Sequence, residues 1–247
     1  MATITDSTDS TEPATPKKPV KLKWQTSANL PTLAKKENKK PANELYESIL
    51  WRIDSRANTN ETLAVGLCGC LRKSGSTMIA SNLALQASLQ QRGRVLLVDA
   101  NWRPPGILKT FSMPQTTGLY DVLSGDVSPR EFEAQSVSDY LDVMSRGKWD
   151  EEQPSNVRSE LIADMLSDLK MDYSLIIVDL PNAEDMRSAL PLARQLDGTL
   201  LVARFEAVKQ PQARRILRRI QEDGIEVWGS VLNRHREYIP KWIRERL

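Results

Sequence analysis

Short, nearly uninterrupted apolar segments alternate with helical stretches along most of this chain, and this alternation constrains the fold more than any other feature. Val/Ile/Leu runs of this kind are typical of strands buried on both faces, and helices between them provide the crossovers of a parallel sheet. The pattern predicts an α/β fold with a mainly parallel sheet and helices on both faces. The apolar segments are LAVGLC (63–68), VLLVDA (95–100), LDVMS (141–145), LIIVDL (175–180), GTLLVARF (198–205) and EVWGSVLN (226–233).

Apolar residues at helical spacing mark the helices between these segments. A parallel sheet binds ligands beyond the carboxyl ends of its strands. We therefore expect a site in the turns that follow Cys68, Ala100, Leu180 and Asn233. The predicted helices begin at Glu44 and after Ser76, and two others cover 157–170 and 209–223.

Residues 1–43 differ in composition from the rest of the chain. They contain eight lysines, two aspartates and two glutamates, with little apolar content. Such a segment cannot offset the entropy cost of ordering. The remainder is slightly acidic, although the net charge of the whole chain is +2. We predict a disordered basic tail over 1–43 and one folded domain over 44–247 that ends in a basic helix.

The sequence disfavours several classes of protein. Its first ten residues lack the basic and apolar regions of an export signal. The apolar runs are far shorter than the ~20 residues of a membrane helix. Two cysteines and one histidine are too few ligands for a zinc site. We therefore expect a cytoplasmic protein without zinc.

The turn after the first predicted strand partly matches a phosphate-binding loop. The pattern GxxxxGK[ST] directs backbone amides at phosphate, pairs its lysine with the β and γ phosphates and provides a hydroxyl for Mg²⁺. Here residues 69–77 read GCLRKSGST. Gly69 and Ser76 match the pattern, but Ser74 replaces the second glycine and Gly75 takes the position of the lysine.

The surroundings of this loop still favour an anion site, because a strand precedes it and the N-terminus of a helix follows. Mg²⁺ would contact Ser76. Lys73 lies two residues too early to replace the lysine, unless a rearranged loop brings it or Arg72 to the phosphates. The alternative is a turn that merely joins strand to helix. The residues that would contact ATP or ADP are Gly69, Ser74, Gly75, Ser76 and Thr77.

Five segments resemble the bacterial tyrosine kinases of capsule and exopolysaccharide assembly (CpsD/CapB type) and their MinD/ParA-like P-loop relatives. The likeness covers roughly residues 44–234, in the order of that family. RVLLVDANWRPP in particular is similar to its VLLIDADxRRP signature. The segments are NELYESILWRI (43–53), RVLLVDANWRPP (94–105), GLYDVLSGDVS (118–128), YSLIIVDLPNA (173–183) and EVWGSVLNR (226–234).

The resemblance implies a nucleotide-binding fold with roles for particular residues. Asp99 and Asp179 would lie near Mg²⁺, Arg103 would belong to the nucleotide site, and Asn233 would face adenine. Considered without the resemblance, Asp99 and Asp179 end buried strands, where an aspartate can simply cap the following turn.

The chain departs from the family at residues that carry its chemistry. Gly75 replaces the lysine, and Asn101 replaces the second aspartate of the acidic pair. Loss of one preorganised electrostatic contact commonly costs about 10² to 10³ in rate. Two losses are therefore expected to leave little phosphoryl transfer. Asp99 and Lys73 are the catalytic candidates that remain.

Other departures concern assembly. The ExxRxxR assembly helix of the family reads Glu44, Glu47 and Leu50 here, so ring formation by that route is not expected and the oligomeric state stays open. Tyr238 alone stands where the family has a tyrosine-rich C-terminus. The basic helices offer either solvated faces or a docking surface for an acidic partner or the inner membrane. The arginines of the first such helix are Arg214, Arg215, Arg218 and Arg219.

Three hypotheses follow. The first is a catalytically impaired, kinase-like component that regulates polysaccharide biosynthesis or export through a membrane co-polymerase (chain-length determinant) partner. This partner would hold it at the inner membrane. The second is an active tyrosine autokinase or ATPase, in which Lys73, Arg72 or a basic residue of a partner replaces the lysine. The third is a ParA-like DNA-associated ATPase, which the slightly acidic folded part disfavours.

Overall fold

The computed structural model describes residues 40–57, 61–103, 106–128, 132, 134–148, 159–205 and 207–233. Most of the predicted basic tail, Tyr238 and the predicted C-terminal basic helix lie outside these ranges. The first helix, α1 (Lys40–Asp54), begins at Lys40 rather than at Glu44. It therefore starts inside the segment that composition assigned to the tail.

Seven strands form one sheet in the order β3-β4-β2-β5-β1-β6-β7, and every neighbouring pair is parallel except β3 with β4. This confirms the predicted α/β fold with a mainly parallel sheet. β3 was not predicted, because it is a short edge strand without an apolar run. The strands are β1 (Leu63–Gly69), β2 (Val95–Asp99), β3 (Gln135–Ser138), β4 (Leu141–Met144), β5 (Leu175–Asp179), β6 (Gly198–Arg204) and β7 (Val227–Asn233).

Helices cover both faces of the sheet. Residues that alternate along each strand belong to two separate cores: Leu96 and Val98 pack on one face, whereas Leu97 packs on the other. The first face carries α4 to α7 and the second carries α1 to α3. Every residue of β1, β2 and β5 is buried, as their continuous apolar sequences predict. The remaining helices are α2 (Ser76–Leu89), α3 (Ile107–Phe111), α4 (Leu119–Ser124), α5 (Ser159–Asp172), α6 (Leu190–Ala193) and α7 (Gln210–Glu222).

Two carboxylates end neighbouring strands at the carboxyl edge of this sheet. The register of β2 with β5 places Asp99 directly opposite Asp179. Since the central strands are buried on both faces, the edge where they end is where polar groups gather. Within the described ranges, no helix is long and apolar enough to cross a membrane.

Candidate nucleotide site

The four turns that the sequence singled out converge at this edge. The amide of Ala183, which follows β5, donates to the Gly69 carbonyl at the end of β1 over 2.8 Å. Asn233, the last residue of β7, donates from Nδ2 to the Ser74 carbonyl over 2.8 Å. The loop after β1 is therefore in contact with the segment after β5 and with the end of β7. Asp99, the last residue of β2, lies opposite Asp179 at the same edge of the sheet.

The loop after β1 is closed on itself by Ser74. The buried hydroxyl of Ser74 donates to the Leu71 carbonyl over 2.6 Å and accepts from the Leu71 amide over 3.1 Å. The Ser74 amide also donates to the Leu71 carbonyl, over 3.3 Å. Two amides of the loop are therefore engaged within it rather than free for phosphate. A glycine at position 74 could make neither of the hydroxyl contacts.

Gly75, which the sequence analysis places at the lysine position, has a backbone conformation that suits glycine. Gly75 has a φ of 88°, in the left-handed region, and a Cβ there would lie 2.3 Å from Nδ2 of Asn233. The side chains of Lys73 and Arg72 are exposed, and Lys73 also has a positive φ of 61°. The loop thus places no side-chain cation at position 75, and Asn233 covers the space where one would begin.

Asp179 is fully buried, and one of its oxygens is unsatisfied. Oδ2 accepts a hydrogen bond from Thr77 Oγ1 over 2.6 Å, whereas no donor meets Oδ1 with hydrogen-bond geometry among the described residues. Burial, reinforced by the negative charge of Asp99, raises the pKa of Asp179 well above its ordinary range. The side chain of Asn101 is a polar neighbour and acts to lower the pKa of this carboxyl. A buried carboxylate oxygen without a partner is costly in the free protein. It is also what a cation would satisfy.

Asp99 caps the backbone that follows β2. Its Oδ1 accepts from the Asn101 amide over 3.1 Å and its Oδ2 from the Ile107 amide over 3.0 Å. Gly106 permits this approach, because a Cβ there would lie 2.2 Å from Oδ2. The capping role that the sequence left open is therefore present. It does not exclude a metal, because each carboxylate oxygen has a further lone pair.

Asn101 and Arg103 are both engaged within the protein. Asn101 Oδ1 accepts from the Arg103 amide over 3.2 Å and so stabilises the turn after β2. The Arg103 guanidinium forms a two-pronged ion pair with Asp185, at 2.6 and 2.9 Å, and stacks on Trp102 with 4.2 Å to the ring centroid. Arg103, predicted for the nucleotide site, is thus held by a carboxylate beside that site.

Two charged residues of the site were missed by the sequence analysis. Asp185 has its pKa lowered mainly by the Arg103 hydrogen bonds, and Arg72 contributes to the same effect. Arg146, after β4, donates to the Trp102 carbonyl over 2.8 Å, and its charge acts on Asp99. Neither lies in a segment with a recognisable motif. The one available signal was that each follows a strand ending at the same edge.

These residues have groups that could hold a magnesium-bound phosphate. The first amides of α2 have no partner within the helix, so the Ser76 end of α2 can bind an anion. Asp99 and Asp179 have oxygens of the kind that Mg²⁺ prefers. Among the described residues the hydroxyl that contacts Asp179 is that of Thr77, and no hydrogen bond joins the predicted ligand Ser76 to either carboxylate. Among the described residues, no three His, Cys, Asp or Glu converge on a metal position. A metal here would thus complete its coordination with water and phosphate.

Proton binding at Asp99 gives this site an expected pH dependence. Burial is the main cause that raises the pKa of Asp99 from 3.8 to about 6. Because the folded pKa is the higher one, Asp99 stabilises the fold below about pH 4, and this contribution is lost as the pH rises through about 6. Metal binding has the opposite pH dependence. Because a metal requires the ionised carboxylate, its affinity falls as the pH falls.

We therefore expect Mg²⁺-dependent ADP binding to be about tenfold weaker at pH 5 than at pH 7.5. Calorimetric titration across this range measures the effect. The same titration without Mg²⁺ corrects for protonation of the nucleotide. A Mg²⁺-dependent affinity that stays constant between these pH values would show that Asp99 is not a metal ligand.

The sheet order and the helices on both faces define a class of fold: an α/β domain with a mainly parallel sheet, of the kind found in P-loop NTPases. Solved structures share this fold. The kinase domain of Escherichia coli tyrosine kinase ETK has a TM-score of 0.68 at 23% identity, covering 87% of this chain and 86% of that one. The chimerical protein CapA2B2 has 0.71 at 21%, covering 88% and 96%. MinD from Pyrococcus horikoshii OT3, complexed with Mg-ADP, has 0.55 at 20%, covering 75% and 76%.

Sequence comparison relates the chain to bacterial tyrosine kinases. A putative tyrosine-protein kinase in the cps region of Klebsiella pneumoniae is 28% identical over 167 residues, which are 68% of this chain and 23% of that protein. Tyrosine-protein kinase YwqD of Bacillus subtilis (strain 168) is 25% identical over 211 residues, 83% of this chain and 89% of that protein. No family model matches the chain.

In sequence and fold, then, the chain resembles the bacterial tyrosine kinases and, in fold, the MinD/ParA-type P-loop ATPases. It spans about a quarter of the length of several of these curated relatives, with 23%, 27% and 28% of the first three covered.

Proposed function

We propose that this chain is a nucleotide-binding regulatory domain of the bacterial tyrosine kinase type in which phosphoryl transfer is impaired. The proposal rests on Gly75, which the sequence analysis assigns to the lysine position and which has a φ of 88° with Asn233 against it. Mg²⁺ bound by Ser76, Asp99 and Asp179 would neutralise phosphate charge. Nothing at position 75 would stabilise the charge that develops on the transferred group.

The second altered residue supports the same proposal. Asn101 stands where the family has an aspartate, and its amide cannot accept a proton from a reacting hydroxyl. Its Oδ1 is already used by the Arg103 amide. The site thus keeps groups that bind and lacks groups that act in the transition state, which is the pattern expected of a nucleotide sensor.

The pathway and the partner are part of the proposal. One relative is named for a cps region, and the fold is shared with the CapA2B2 chimera. We propose that the domain acts in polysaccharide biosynthesis or export, at the inner membrane, through a membrane co-polymerase. The exposed arginines of α7 are one candidate contact, because they carry no ion pair within the described part of the chain.

The test is titration with ATP and ADP, with and without Mg²⁺, followed by calorimetry and by a thermal-unfolding assay. We expect Mg²⁺-dependent binding of both nucleotides without measurable hydrolysis or autophosphorylation. Binding at 100 times the dissociation constant stabilises the fold by about 2.7 kcal/mol. Asp179→Ala should remove the Mg²⁺ dependence. Turnover at rates typical of a kinase, about 1 to 100 per second, would overturn the impairment, and no binding would overturn the sensor.

A second candidate function is an active kinase in which Arg72 replaces the lysine. Its support is that the charge of Arg72 acts on Asp185, the carboxylate that pairs with Arg103 beside the site. Autophosphorylation assayed with the co-polymerase present tests it. Activity that Arg72→Ala abolishes and Lys73→Ala spares would favour this candidate over the first.

A further inference from the structure

Four arginines cover the outer side of α7, and all four side chains are exposed. The other side of the helix packs on the sheet: Ile220 is 1% exposed, and Ile216 and Leu217 lie against the same core. At 3.6 residues per turn, the arginines therefore share the half of the helix that faces away from the core. The arginines of this α7 face are Arg214, Arg215, Arg218 and Arg219.

The spacing of these arginines opposes the stability of the free helix. Arg214 lies four residues before Arg218, and Arg215 lies four residues before Arg219. Like charges at this spacing are neighbours on the helix surface and destabilise it. The only acidic residue of α7 is Glu222, in its last turn. Since no ion pair offsets the arginines within the described part of the chain, a partner with many negative charges would relieve their repulsion.

A role in the helix dipole does not account for the arrangement. Cations stabilise a helix through the carbonyls of its last turn, and Arg214 and Arg215 lie before that turn. The C-terminus of α7 also has a cation from elsewhere in the fold. Arg194 Nε donates to the carbonyl of Asp223, the C-cap residue, over 2.6 Å. The helix itself therefore does not require the four arginines.

The α7 face offers charge without an apolar anchor. A shallow depression on it, about 300 Å³ in volume, is lined by Gln210, Pro211, Arg214, Arg215 and Arg218. Protein interfaces concentrate their binding energy in closely packed, desolvated pockets. This depression is open, and its described lining residues include no large apolar side chain. The α7 face therefore suits a surface of repeated negative charge better than it suits a folded protein partner.

We propose that the α7 face binds the anionic headgroups of a membrane surface directly. From Arg214 to Arg219 the helix rises about 8 Å, and one DNA strand presents only about two phosphates over that length. Lipid headgroups diffuse in the plane of the bilayer, so they can reach all four guanidinium groups. Each basic residue near such a surface raises the affinity by about fivefold.

This contact deepens the proposed function, because it would hold the domain at the inner membrane alongside the co-polymerase. Its regulatory meaning rests on that proposed function, whereas the lipid contact itself needs neither nucleotide nor the co-polymerase. Acidic protein segments and nucleic acid are the competing occupants of the α7 face.

Vesicle co-sedimentation of the whole chain without nucleotide tests the contact. The vesicles contain about 30% phosphatidylglycerol in phosphatidylcholine. Arg214→Gln combined with Arg215→Gln should weaken binding by about 25-fold. The fold should persist, since both side chains are exposed and the change relieves repulsion.

The matched control removes the same charge from the other face of the sheet. Arg52→Gln on α1 is combined with Lys109→Gln on α3, where both side chains are exposed. This pair should change vesicle binding by less than about threefold, because it leaves the local charge of the α7 face intact. Equal losses in the two double variants would overturn the proposal, since binding would then follow net charge alone. Absence of vesicle binding by the unmodified chain would overturn it as well.

A fluorescent label locates the surface that touches the lipid. Cys68 and Cys70 are buried, so an engineered cysteine can be labelled alone. Gln212→Cys places the label beside the α7 face, and Ser48→Cys places it on α1, across the sheet; both positions are exposed. Vesicles with spin-labelled headgroups should quench the label at 212 and spare the label at 48. Equal quenching, or none, would show that other basic residues of the chain make the contact and would overturn the proposal.

The competing occupants are tested in the same buffer. Binding of duplex DNA or of a polyglutamate peptide that is tighter than vesicle binding, and that the α7 double variant abolishes, would overturn the assignment to lipid. Weaker binding of both would support it. Because no nucleotide is present in these assays, failure to bind ATP or ADP would refute the proposed function and leave the lipid contact intact.

Discussion

Replacing Gly75 with lysine is expected to destabilise the fold and to leave phosphoryl transfer at background, although it introduces lysine at the position that the sequence analysis assigns to the P-loop lysine. A non-glycine residue at a φ of 88° is strained, and its Cβ would meet Nδ2 of Asn233 at 2.3 Å. Strain of this kind costs about 1 to 3 kcal/mol. Urea unfolding measures the loss, and ATP hydrolysis with autophosphorylation measures the activity.

Recovery of activity should require the loop to open as well. Ser74→Gly removes the hydroxyl that binds Leu71 at 2.6 Å, and Asn233→Ala removes the amide that covers position 75. Combined with Gly75→Lys and Asn101→Asp, these changes should raise turnover by at least about 10²-fold above the unmodified chain. Gly75→Ala is the control, since it introduces the strain without the charge. A comparable gain from Gly75→Lys alone would show that the loop is not closed as described.

The sheet could be predicted from the sequence because its central strands carry their own signal. β1, β2 and β5 are buried on both faces, and a strand in that position must be apolar at every residue. The edge strand β3 has no such requirement. Its four residues, Gln135–Ser138, alternate between buried and half-buried positions, and a segment this short and polar resembles a loop.

The candidate site could be predicted in outline only. Asp99, Asp179, Ser76 and Asn233 each follow or end an element that the sequence marked, so their convergence follows from the topology of a parallel sheet. What those side chains contact does not follow from it. The bond from Asn233 to Ser74 joins positions 159 residues apart, and the pair of Arg103 with Asp185 joins positions 82 apart. Sequence separations of this size leave no local pattern.

The two buried carboxylates of the site are consistent with a bound cation that the chain itself does not supply. Asp99 and Asp179 are buried side by side, and no side chain at position 75 supplies the cation that a P-loop lysine would. In the free protein their ionisation is opposed by burial and by each other. A bound Mg²⁺ would offset both effects, since an opposite charge at close range favours the ionised form. Removal of one of these two carboxylates should therefore stabilise the free protein and weaken its binding of Mg²⁺.

Asp179→Asn is accordingly expected to stabilise the free protein while it abolishes Mg²⁺-dependent nucleotide binding. Asn can still accept from Thr77 through Oδ1, and the raised pKa of Asp179 means that its ionised form opposes folding at neutral pH. The gain should be about 0.5 to 2 kcal/mol. The thermal shift that Mg²⁺-ADP gives the unmodified chain should disappear.

The matched control, Asp185→Asn, should have the opposite effect on stability. The pKa of Asp185 is lowered by Arg103, so its charge stabilises the fold above its ordinary pKa and this contribution is lost as the pH falls. Removal of that charge breaks a two-pronged ion pair at 2.6 and 2.9 Å, at a cost of about 0.5 to 1.5 kcal/mol because the pair is partly exposed to solvent. Thermal unfolding at pH 7.5 compares the two variants. If Asp179→Asn destabilised the chain as Asp185→Asn does, Asp179 would be a structural residue, and the case for a metal at this edge would fail with it.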